Sequence, residues 1–320
     1  DFEKSFYGTF IQEKDFQNIA KLGFNCVRLP FHHGLIETRP YRYDPQGLSY
    51  LDKALAWARK YKLYVILDLH AAAGCQNHDW HSDSLGQAEL FQNKTFQART
   101  FALWEFLADR YKDNPTLAGY DLLNEAVIDE GVKLNRFYQE LVRRIRLADK
   151  NHILFIEGNK WATDIACLDN FKDDNCALSI HFYHPIEFTF NLVPLLSYPF
   201  RYRKTLWDKS ILRRMVDGYG KIARNRQLPV FVGEFGVNYR DNKFKEGNWL
   251  RDAVGAFEQN GFHWTYWTYK AVKNTTFPDG LLSYYPNDPW VSRQGPKMGW
   301  DTYASLWMKR KTEIIESWKT

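Results

Sequence analysis

The sequence predicts an α/β fold and, within that class, a (β/α)8 TIM barrel. Short apolar runs alternate with segments of helical periodicity along the chain, which is the pattern of parallel strands joined by helices. Polar side chains follow nearly every predicted strand, where parallel barrels place their chemistry. A barrel of this kind typically needs about 250 residues, and the chain has 320. A doubly wound sheet is the alternative, but it would gather its polar residues at a single crevice.

Strands and helices can be assigned in order along the chain. The strands are predicted near residues 27, 66, 121, 154, 179, 231 and 265. The helices are predicted over residues 12–22, 51–61, 91–111, 132–150, 211–225, 249–260 and 303–318. Gly23 ends the first helix, and Pro30 is predicted to close the first strand. Because no repeat or linker interrupts this alternation, we expect a single domain over residues 1–320.

The strand that should open a closed barrel is missing from this pattern. Residues 1–10 show no clear period, and the first recognisable element is the helix over residues 12–22. A barrel that lacked one strand would leave two unpaired edges facing each other. We therefore expect that an N-terminal strand preceding Asp1 was removed, or else that residues 1–10 fill the gap irregularly, and we favour the first explanation.

The composition limits the kinds of molecule that we expect this protein to bind. The formal net charge is +5, from 43 basic and 38 acidic residues, and no long basic run indicates nucleic acid. No apolar run is long enough to span a bilayer, so we expect no membrane span. Aromatic residues make up 17% of the chain, and some could stack on sugar rings, although most belong to the core. The four cysteines have no metal-ligand spacing; a bridge between Cys167 and Cys176 is possible but not required.

Two strand ends carry acidic side chains without a packing reason. Asn124 and Glu125 follow the buried run over residues 117–123, and Glu234 follows the run over residues 230–232. A pair of carboxylates is what the hydrolysis of a glycoside requires. Either glutamate alone could instead cap the helix that follows it. Together they favour a catalytic pair.

Six short motifs at the strand ends resemble glycoside hydrolase family 5, whose members are retaining β-glycosidases on (β/α)8 barrels. They occur in order over residues 9–300 and are Gly23-Phe-Asn-Cys-Val-Arg-Leu-Pro30, Leu67-Asp-Leu-His70, Leu123-Asn-Glu-Ala126, His181-Phe-Tyr183, Gly233-Glu-Phe-Gly236 and Trp264-Thr-Tyr-Trp267. The stretches at residues 9–16 and 71–77 are similar to exo-β-1,3-glucanase-like members. Ala126 departs from the family, which usually has proline there. The resemblance implies that residues 1–320 form one glycosidase catalytic domain.

The resemblance also implies the catalytic roles. Glu125 would be the general acid/base, with its pKa raised by burial or by nearby negative charge. Glu234 would be the nucleophile, kept ionised by Arg28, although Arg28 could equally belong to a structural ion pair. Tyr183 would hydrogen-bond Glu234, and His181 would orient Glu125. A retaining enzyme would hold the two carboxyl groups about 5–5.5 Å apart.

Further residues are expected to bind the substrate. Asn124 would hold the 2-hydroxyl of the reacting sugar. His70 would bind another hydroxyl, or else be a buried histidine bonded to the backbone. Trp267 would form the floor of the subsite. The loop after the second strand would shape the pocket through Asn77, Trp80, His81 and Asp83.

We expect no cofactor and no metal. A catalytic zinc site needs three converging ligands, and the spacing of the histidines, among them His78 and His81, does not indicate such a site. The predicted substrate is a β-glucan or β-glucoside, cleaved from its end. An endo-β-1,4-glucanase, a β-mannanase or a glycolipid glycosidase are the alternatives, as is a non-catalytic carbohydrate-binding barrel. The substrate class favours an extracellular location, and the sequence leaves the oligomeric state open. An apolar insertion over residues 188–202 could be a lid, a packing element, an aglycone site or a subunit contact.

Overall fold

The computed structural model describes residues 2–171, 173–272 and 276–284. The chain divides into two compact units, with the boundary between Ala177 and Leu178. The helix predicted over residues 303–318 lies outside the described residues.

In the first unit, four parallel strands lie side by side and helices connect them. The strands in chain order are β1 (Cys26–His32), β2 (Glu37–Arg39), β3 (Arg42–Tyr43), β4 (Tyr64–Ala71), β5 (Leu117–Asp121) and β6 (Ile153–Glu157). The helices are α1 (Phe2–Thr9), α2 (Glu13–Lys21), α3 (His33–Ile36), α4 (Pro45–Lys60), α5 (Lys94–Tyr111), α6 (Gly131–Ala148) and α7 (Asn159–Ala162). The sheet order is β1-β4-β5-β6, and β2 and β3 form a separate antiparallel pair. All four carboxyl ends therefore lie at the same edge.

Buried aromatic and aliphatic side chains hold the helices against this sheet. Trp104 of α5 is fully buried, and its indole N–H donates to the carbonyl of Leu122 at 2.9 Å. Gly119 lets β5 approach β6, because a Cβ there would lie 2.1 Å from the carbonyl oxygen of Ile153. Close contact between these two strands therefore requires glycine at this position.

The second unit contains three parallel strands in the order β7-β10-β11. Its strands are β7 (Cys176–His181), which begins just before the boundary, β8 (Phe200–Tyr202), β9 (Thr205–Trp207), β10 (Val230–Glu234), β11 (His263–Trp264), β12 (Lys270–Val272) and β13 (Leu282–Tyr284). Its helices are α8 (Ile186–Thr189), α9 (Lys209–Arg226) and α10 (Glu246–Gln259). The Asp208 side chain starts α9 by accepting from two backbone N–H groups.

The apolar insertion packs largely on itself and on the loop after β10. It includes the end of α8 and all of β8, and it buries Phe188, which packs against Tyr198 and Phe200 with ring centroids 6.2 and 5.4 Å away. The guanidinium of Arg240 lies 5.1 Å from the centre of the Phe188 ring. Tyr198 donates its hydroxyl to Asp252 at 2.9 Å. The packing role expected for the insertion is thus what these side chains show.

Two backbone hydrogen bonds anchor this insertion, and two of its leucines are exposed. The Tyr198 backbone N–H donates to the carbonyl of Phe244 at 3.0 Å, and the Asn238 backbone N–H donates to that of Thr189 at 2.7 Å. Leu195 is 79% exposed, and Leu192 is exposed as well. The insertion is therefore tied down along its length and leaves only part of its apolar surface in solvent.

All seven strands predicted from the sequence are present, but three local predictions need correction. Pro30 does not close β1, which continues to His32; Pro30 is exposed, and proline is tolerated where the strand does not need its N–H. Helix α4 begins at Pro45 rather than near residue 51, because Asp44 caps it and proline suits the first helical turn. Residues 2–9 are helical rather than irregular. None of the described helices has the length and apolarity required to cross a bilayer.

Candidate active site

Glu125 lies just beyond the end of β5, and its main chain is held on both sides. Its backbone N–H donates to Oε2 of Glu157 at 2.6 Å, and its carbonyl accepts from Nδ2 of Asn77 at 2.8 Å. Its φ angle is +49°, in the left-handed region that residues other than glycine occupy at a cost of about 1–2 kcal/mol. These two hydrogen bonds help to stabilise this unusual conformation, which sets the direction of the Glu125 side chain.

The Glu125 carboxyl group meets a histidine from the loop after β4. Oε2 of Glu125 lies 3.0 Å from Nε2 of His81, and the Glu125 side chain is 12% exposed. The same ring nitrogen lies 2.9 Å from Nδ2 of Asn77. His81 belongs to a single 3-10 turn, Trp80–Ser82, and its ring centroid is 6.3 Å from that of His70. Asn77, Trp80 and His81 therefore lie in the loop segment that contacts Glu125.

A buried charge cluster lies below Asn124 and Glu125. Arg28, on β1, lies 2.7 Å from Asp121, 3.1 Å from Asp68 and 3.0 Å from Glu157, and all three acids are fully buried. Asp68 and Asp121 are register partners on β4 and β5, an arrangement of like charges that is unfavourable without a cation. Arg28 therefore takes part in the structural ion pairs that the sequence left open, and its expected role in keeping Glu234 ionised stays a prediction. Because Asp68, Asp121 and Glu157 offer oxygens within 4.8 Å of one another, they could also ligate a metal, but Arg28 already supplies a cation there.

The surroundings in this cluster raise the pKa of one of its acids. Burial, the charge of Glu157 and the charge of Asp68 raise the pKa of Asp121 well above its usual range, and Arg28 offsets this only in part. Oδ1 of Asp121 has no hydrogen-bond partner among the described residues. Three carboxyl groups around one guanidinium thus carry less negative charge than their number suggests.

Arg28 also orients Asn124. Its Nη2 donates to Oδ1 of Asn124 at 2.9 Å, which fixes which end of the side-chain amide is the donor end. Nδ2 of Asn124 has no hydrogen-bond partner among the residues that the structure describes. His70 bonds to the same cluster, because its Nδ1 lies 2.8 Å from Oδ2 of Asp68. A bond to this carboxylate therefore helps to hold the His70 ring.

In the second unit, Glu234 is the last residue of β10 and is buried. Tyr183 donates its hydroxyl to Oε2 of Glu234 at 2.8 Å, and Nδ1 of His181 lies 3.6 Å from the same oxygen. The Tyr183 ring packs edge-on against Phe190 of the insertion, with centroids 5.1 Å apart. The hydrogen bond expected between Tyr183 and Glu234 is therefore present, whereas the role expected for His181 in orienting Glu125 stays a prediction.

Trp267 follows β11 and is partly exposed. Its backbone N–H donates to the carbonyl of Phe235 at 2.8 Å, and its peptide bond to Thr268 is cis. A Cβ on Gly236 would lie 2.2 Å from the Trp267 carbonyl oxygen. Glycine after the Glu234-Phe235 pair is thus what allows the two strand ends to meet.

Sequence reasoning missed Asp68, Asp121 and Glu157, although each interrupts or ends an apolar strand and could have been noticed for that reason. It also missed Trp161, in the helical turn after β6. Trp161 is 44% exposed, and its indole N–H donates to Oδ2 of Asp79 at 2.6 Å. Lys160, Trp161 and Ala162 all have positive φ angles, which no sequence pattern here predicts.

The chain matches one family model and several curated proteins over most of its length. The family model described as Cellulase (glycosyl hydrolase family 5) matches residues 1–273. A β-xylosidase of Phanerodontia chrysosporium is 32% identical over 287 residues, which are 85% of this chain and 59% of that protein. Endoglucanase C of Acetivibrio thermocellus is 28% identical over 304 residues, 85% of this chain and 87% of that protein. A glucan 1,3-β-glucosidase A of Aspergillus fumigatus, named as probable, is 28% identical over 242 residues, 72% of this chain and 52% of that protein.

A solved structure shows the fold. Endoglucanase Cel5A of Thermotoga maritima matches with a TM-score of 0.68 and 26% identity, over 82% of this chain and 83% of that one. The TIM-barrel class predicted from the strand spacing is thereby confirmed. This chain spans little more than half the length of the β-xylosidase and the glucosidase, and most of the length of endoglucanase C.

Proposed function

Because this chain belongs to glycosyl hydrolase family 5, we propose that it cleaves β-glucosidic bonds with retention of configuration, acting from the end of a β-glucan or on a β-glucoside. The observation that carries the proposal is the contrast between the surroundings of two strand-end glutamates. Glu234 is buried and accepts a hydrogen bond from the hydroxyl of Tyr183. Glu125 instead faces a ring nitrogen of His81. Retaining hydrolysis needs two carboxyl groups in different states.

The proposed reaction has two steps. Glu234 attacks the anomeric carbon while Glu125 gives its proton to the departing glycosidic oxygen, so that a glycosyl ester forms on Glu234. Glu125, now a carboxylate, takes a proton from a water molecule. The oxygen of that water attacks the same carbon and releases Glu234. Both glutamates end in their starting states. Tyr183, at 2.8 Å from Glu234, would hold the nucleophile before the first step.

The substrate contacts follow from the donors and acceptors that the protein leaves available. Nδ2 of Asn124 is a buried donor without a described protein partner, which suits a hydroxyl next to the reacting carbon. Arg28 and the acid cluster hold that amide in place. We assign the remaining substrate-binding roles to His70, Trp80, His181 and Trp267, with Trp267 as the aromatic floor. Asn77 is assigned a supporting role at this site, because its amide already bonds to Asp79, Glu125 and His81.

Action from the chain end is proposed because the motifs at residues 9–16 and 71–77 are similar to exo-β-1,3-glucanases, and because a relative named glucan 1,3-β-glucosidase A matches 72% of the chain. The endoglucanase relatives favour internal cleavage of β-1,4-glucan as the second candidate. The β-xylosidase relative adds β-xylosides to the substrates that need testing.

Product analysis on a substrate panel tests the proposal. The panel contains β-1,3-, β-1,4- and β-1,6-glucans, mannan, and nitrophenyl β-glucoside and β-xyloside. End-wise action is expected to release monosaccharide while the viscosity of the polymer stays high, whereas rapid loss of viscosity would show internal cleavage. Proton NMR of the first product is expected to show the β-anomer; the α-anomer would contradict retention.

The Glu234→Gln variant separates catalysis from carbohydrate binding. It keeps the size of the side chain and removes the nucleophile, so nitrophenol release is expected to fall to background while the unfolding midpoint stays close to that of the wild type. A wild-type protein that binds glucan but releases no nitrophenol from any substrate of the panel would support a non-catalytic barrel instead.

A further inference from the structure

We propose that His81 is a positioning residue that holds Glu125 in its protonated, acid form between turnovers. The inference rests on the proposed function, in which Glu125 is the general acid/base. It concerns a contact within the first unit, where Oε2 of Glu125 lies 3.0 Å from Nε2 of His81. At that distance one hydrogen must lie between the two atoms, and the question is which atom carries it.

The orientation of the Asn77 amide answers this question. Oδ1 of Asn77 accepts from the backbone N–H of Asp79 at 2.9 Å, and Nδ2 donates to the carbonyl of Glu125 at 2.8 Å. Both contacts require the same assignment of oxygen and nitrogen, because a flipped amide would place two donors and two acceptors together. Nδ2 is therefore a donor, and it lies 2.9 Å from Nε2 of His81.

A ring nitrogen that accepts from Asn77 cannot also carry a hydrogen. The His81 ring is therefore neutral, with its hydrogen on Nδ1 and a lone pair on Nε2. Nε2 lies within hydrogen-bond distance of both Nδ2 of Asn77 and Oε2 of Glu125, so its one lone pair is shared between two donors, and the hydrogen between Nε2 and Oε2 belongs to Glu125. A hydrogen bond to the neutral form of a carboxylic acid stabilises that form, so His81 raises the pKa of Glu125 relative to a site without it.

The loop around His81 fixes this geometry. Oγ of Ser82 lies 2.9 Å from the carbonyl oxygens of both Asn77 and Asp79, so its one hydrogen is shared between them, and Asp83 closes the turn with a φ of +63°. The loop therefore presents Nε2 of His81 in one orientation.

Two titratable groups of the first unit lie near this contact: the ring of His70 lies 6.3 Å from that of His81, and Glu157 accepts the backbone N–H of Glu125. Asp79 directs Oδ2 to Trp161. Glu234, the nucleophile of the proposed function, is unchanged in every variant below.

The test compares two leaving groups across pH. A dinitrophenolate departs without protonation, whereas a nitrophenolate benefits more from an acid, so loss of the acid affects nitrophenyl β-glucoside more than dinitrophenyl β-glucoside. The variants are His81→Phe, His81→Gln and Glu125→Ala. His78→Gln is the matched control, because His78 is an exposed histidine of the same loop.

His81→Phe is expected to move the alkaline limb of kcat/KM down by about one pH unit, the size of one hydrogen bond. At a pH above that limb, kcat/KM of the variant for nitrophenyl β-glucoside is expected to be about tenfold below that of the wild type. The loss for dinitrophenyl β-glucoside is expected to be less than about twofold. The reason is that a pKa lower by one unit leaves a tenth as much of the acid protonated as in the wild type. His81→Gln can offer an amide oxygen to Glu125 and is expected to recover part of the loss. His78→Gln is expected to match the wild type.

Two kinetic outcomes overturn the inference alone. Equal losses on both substrates with an unmoved pH profile would show that His81 only supports the loop, and an alkaline limb that moves upward would show that it donates to a carboxylate. If Glu125→Ala itself shows no dependence on the leaving group, the acid role of Glu125 is wrong and the inference falls with it. NMR of wild-type protein with isotope-labelled histidine gives a reading that needs no active variant: a hydrogen on Nε2 of His81 would refute the proposal.

Discussion

The buried cluster around Arg28 predicts an unusual effect of pH on stability, which the Asp121→Asn variant isolates. Asp121 is fully buried, lies 2.7 Å from Nε of Arg28 and faces Glu157 and Asp68. Burial and these two charges raise its pKa well above the usual range, so the folded protein keeps a proton that the unfolded chain releases. The proton belongs to the cluster as a whole.

The sign and size of the effect follow from proton linkage. Above the unfolded pKa of about 3.9, the folded state binds one more proton than the unfolded state, so the free energy of unfolding of the wild type falls by about 1.4 kcal/mol per pH unit. The fall ends at the raised pKa of the folded cluster. Asparagine has the shape of the protonated acid, keeps an oxygen for Arg28 and has no proton to lose. Asp121→Asn is therefore expected to gain about 1.4 kcal/mol over the wild type for each pH unit within that window.

Urea unfolding followed by tryptophan fluorescence, at steps of about one pH unit from about pH 4 to about pH 7, measures this difference. Asp52→Asn is the matched control, because Asp52 is 40% exposed and pairs with Arg110 on the surface. The control is expected to stay within about 1 kcal/mol of the wild type throughout. A difference between Asp121→Asn and the wild type that is constant or shrinks as pH rises would refute the shared proton.

Three further substitutions test the site and its support. Tyr183→Phe removes the hydroxyl that donates to Glu234 at 2.8 Å. Because a hydrogen bond to a charged group contributes about 1.5–3 kcal/mol, kcat/KM on nitrophenyl β-glucoside is expected to fall about 10- to 100-fold. An unchanged rate would contradict the role of Tyr183. Gly119→Ala places a Cβ 2.1 Å from the carbonyl oxygen of Ile153 and is expected to cost about 1–3 kcal/mol, which circular dichroism melting would show as a lower Tm; an equal Tm would mean that the strands can move apart freely. Phe188→Ala empties a fully buried position and is expected to cost about 3–5 kcal/mol in denaturant unfolding, and a loss below about 1 kcal/mol would show that the insertion is loosely packed.

The parts of the fold that the sequence revealed are those with a local cause. An apolar run that ends in Asn124 and Glu125 has no packing reason for those residues, and the same reasoning located Glu234. The predicted start of helix α4 lies too far along the chain, because the first turn of this helix is marked by Asp44 and Pro45 and not by apolar spacing. These signals lie within a few residues of the feature they predict.

The parts that the sequence did not reveal depend on strand register. Asp68 and Asp121 become neighbours because β4 and β5 pair them, and Arg28 reaches both from a third strand. Periodicity within one segment contains no information on that pairing. The positive φ of Glu125 was equally hidden, because it is stabilised by Glu157 and Asn77, which lie far from it in the chain.

The anchored insertion has a consequence for redesign of this enzyme. An outward movement of the insertion would expose Phe188 and break the hydrogen bond from Tyr198 to Asp252. The insertion is therefore a rigid part of the surroundings of any ligand that binds nearby. Leu192 and Leu195 project from it into solvent and support none of those anchors. A library that randomises these two leucines can therefore vary surface chemistry while the scaffold beneath them stays put.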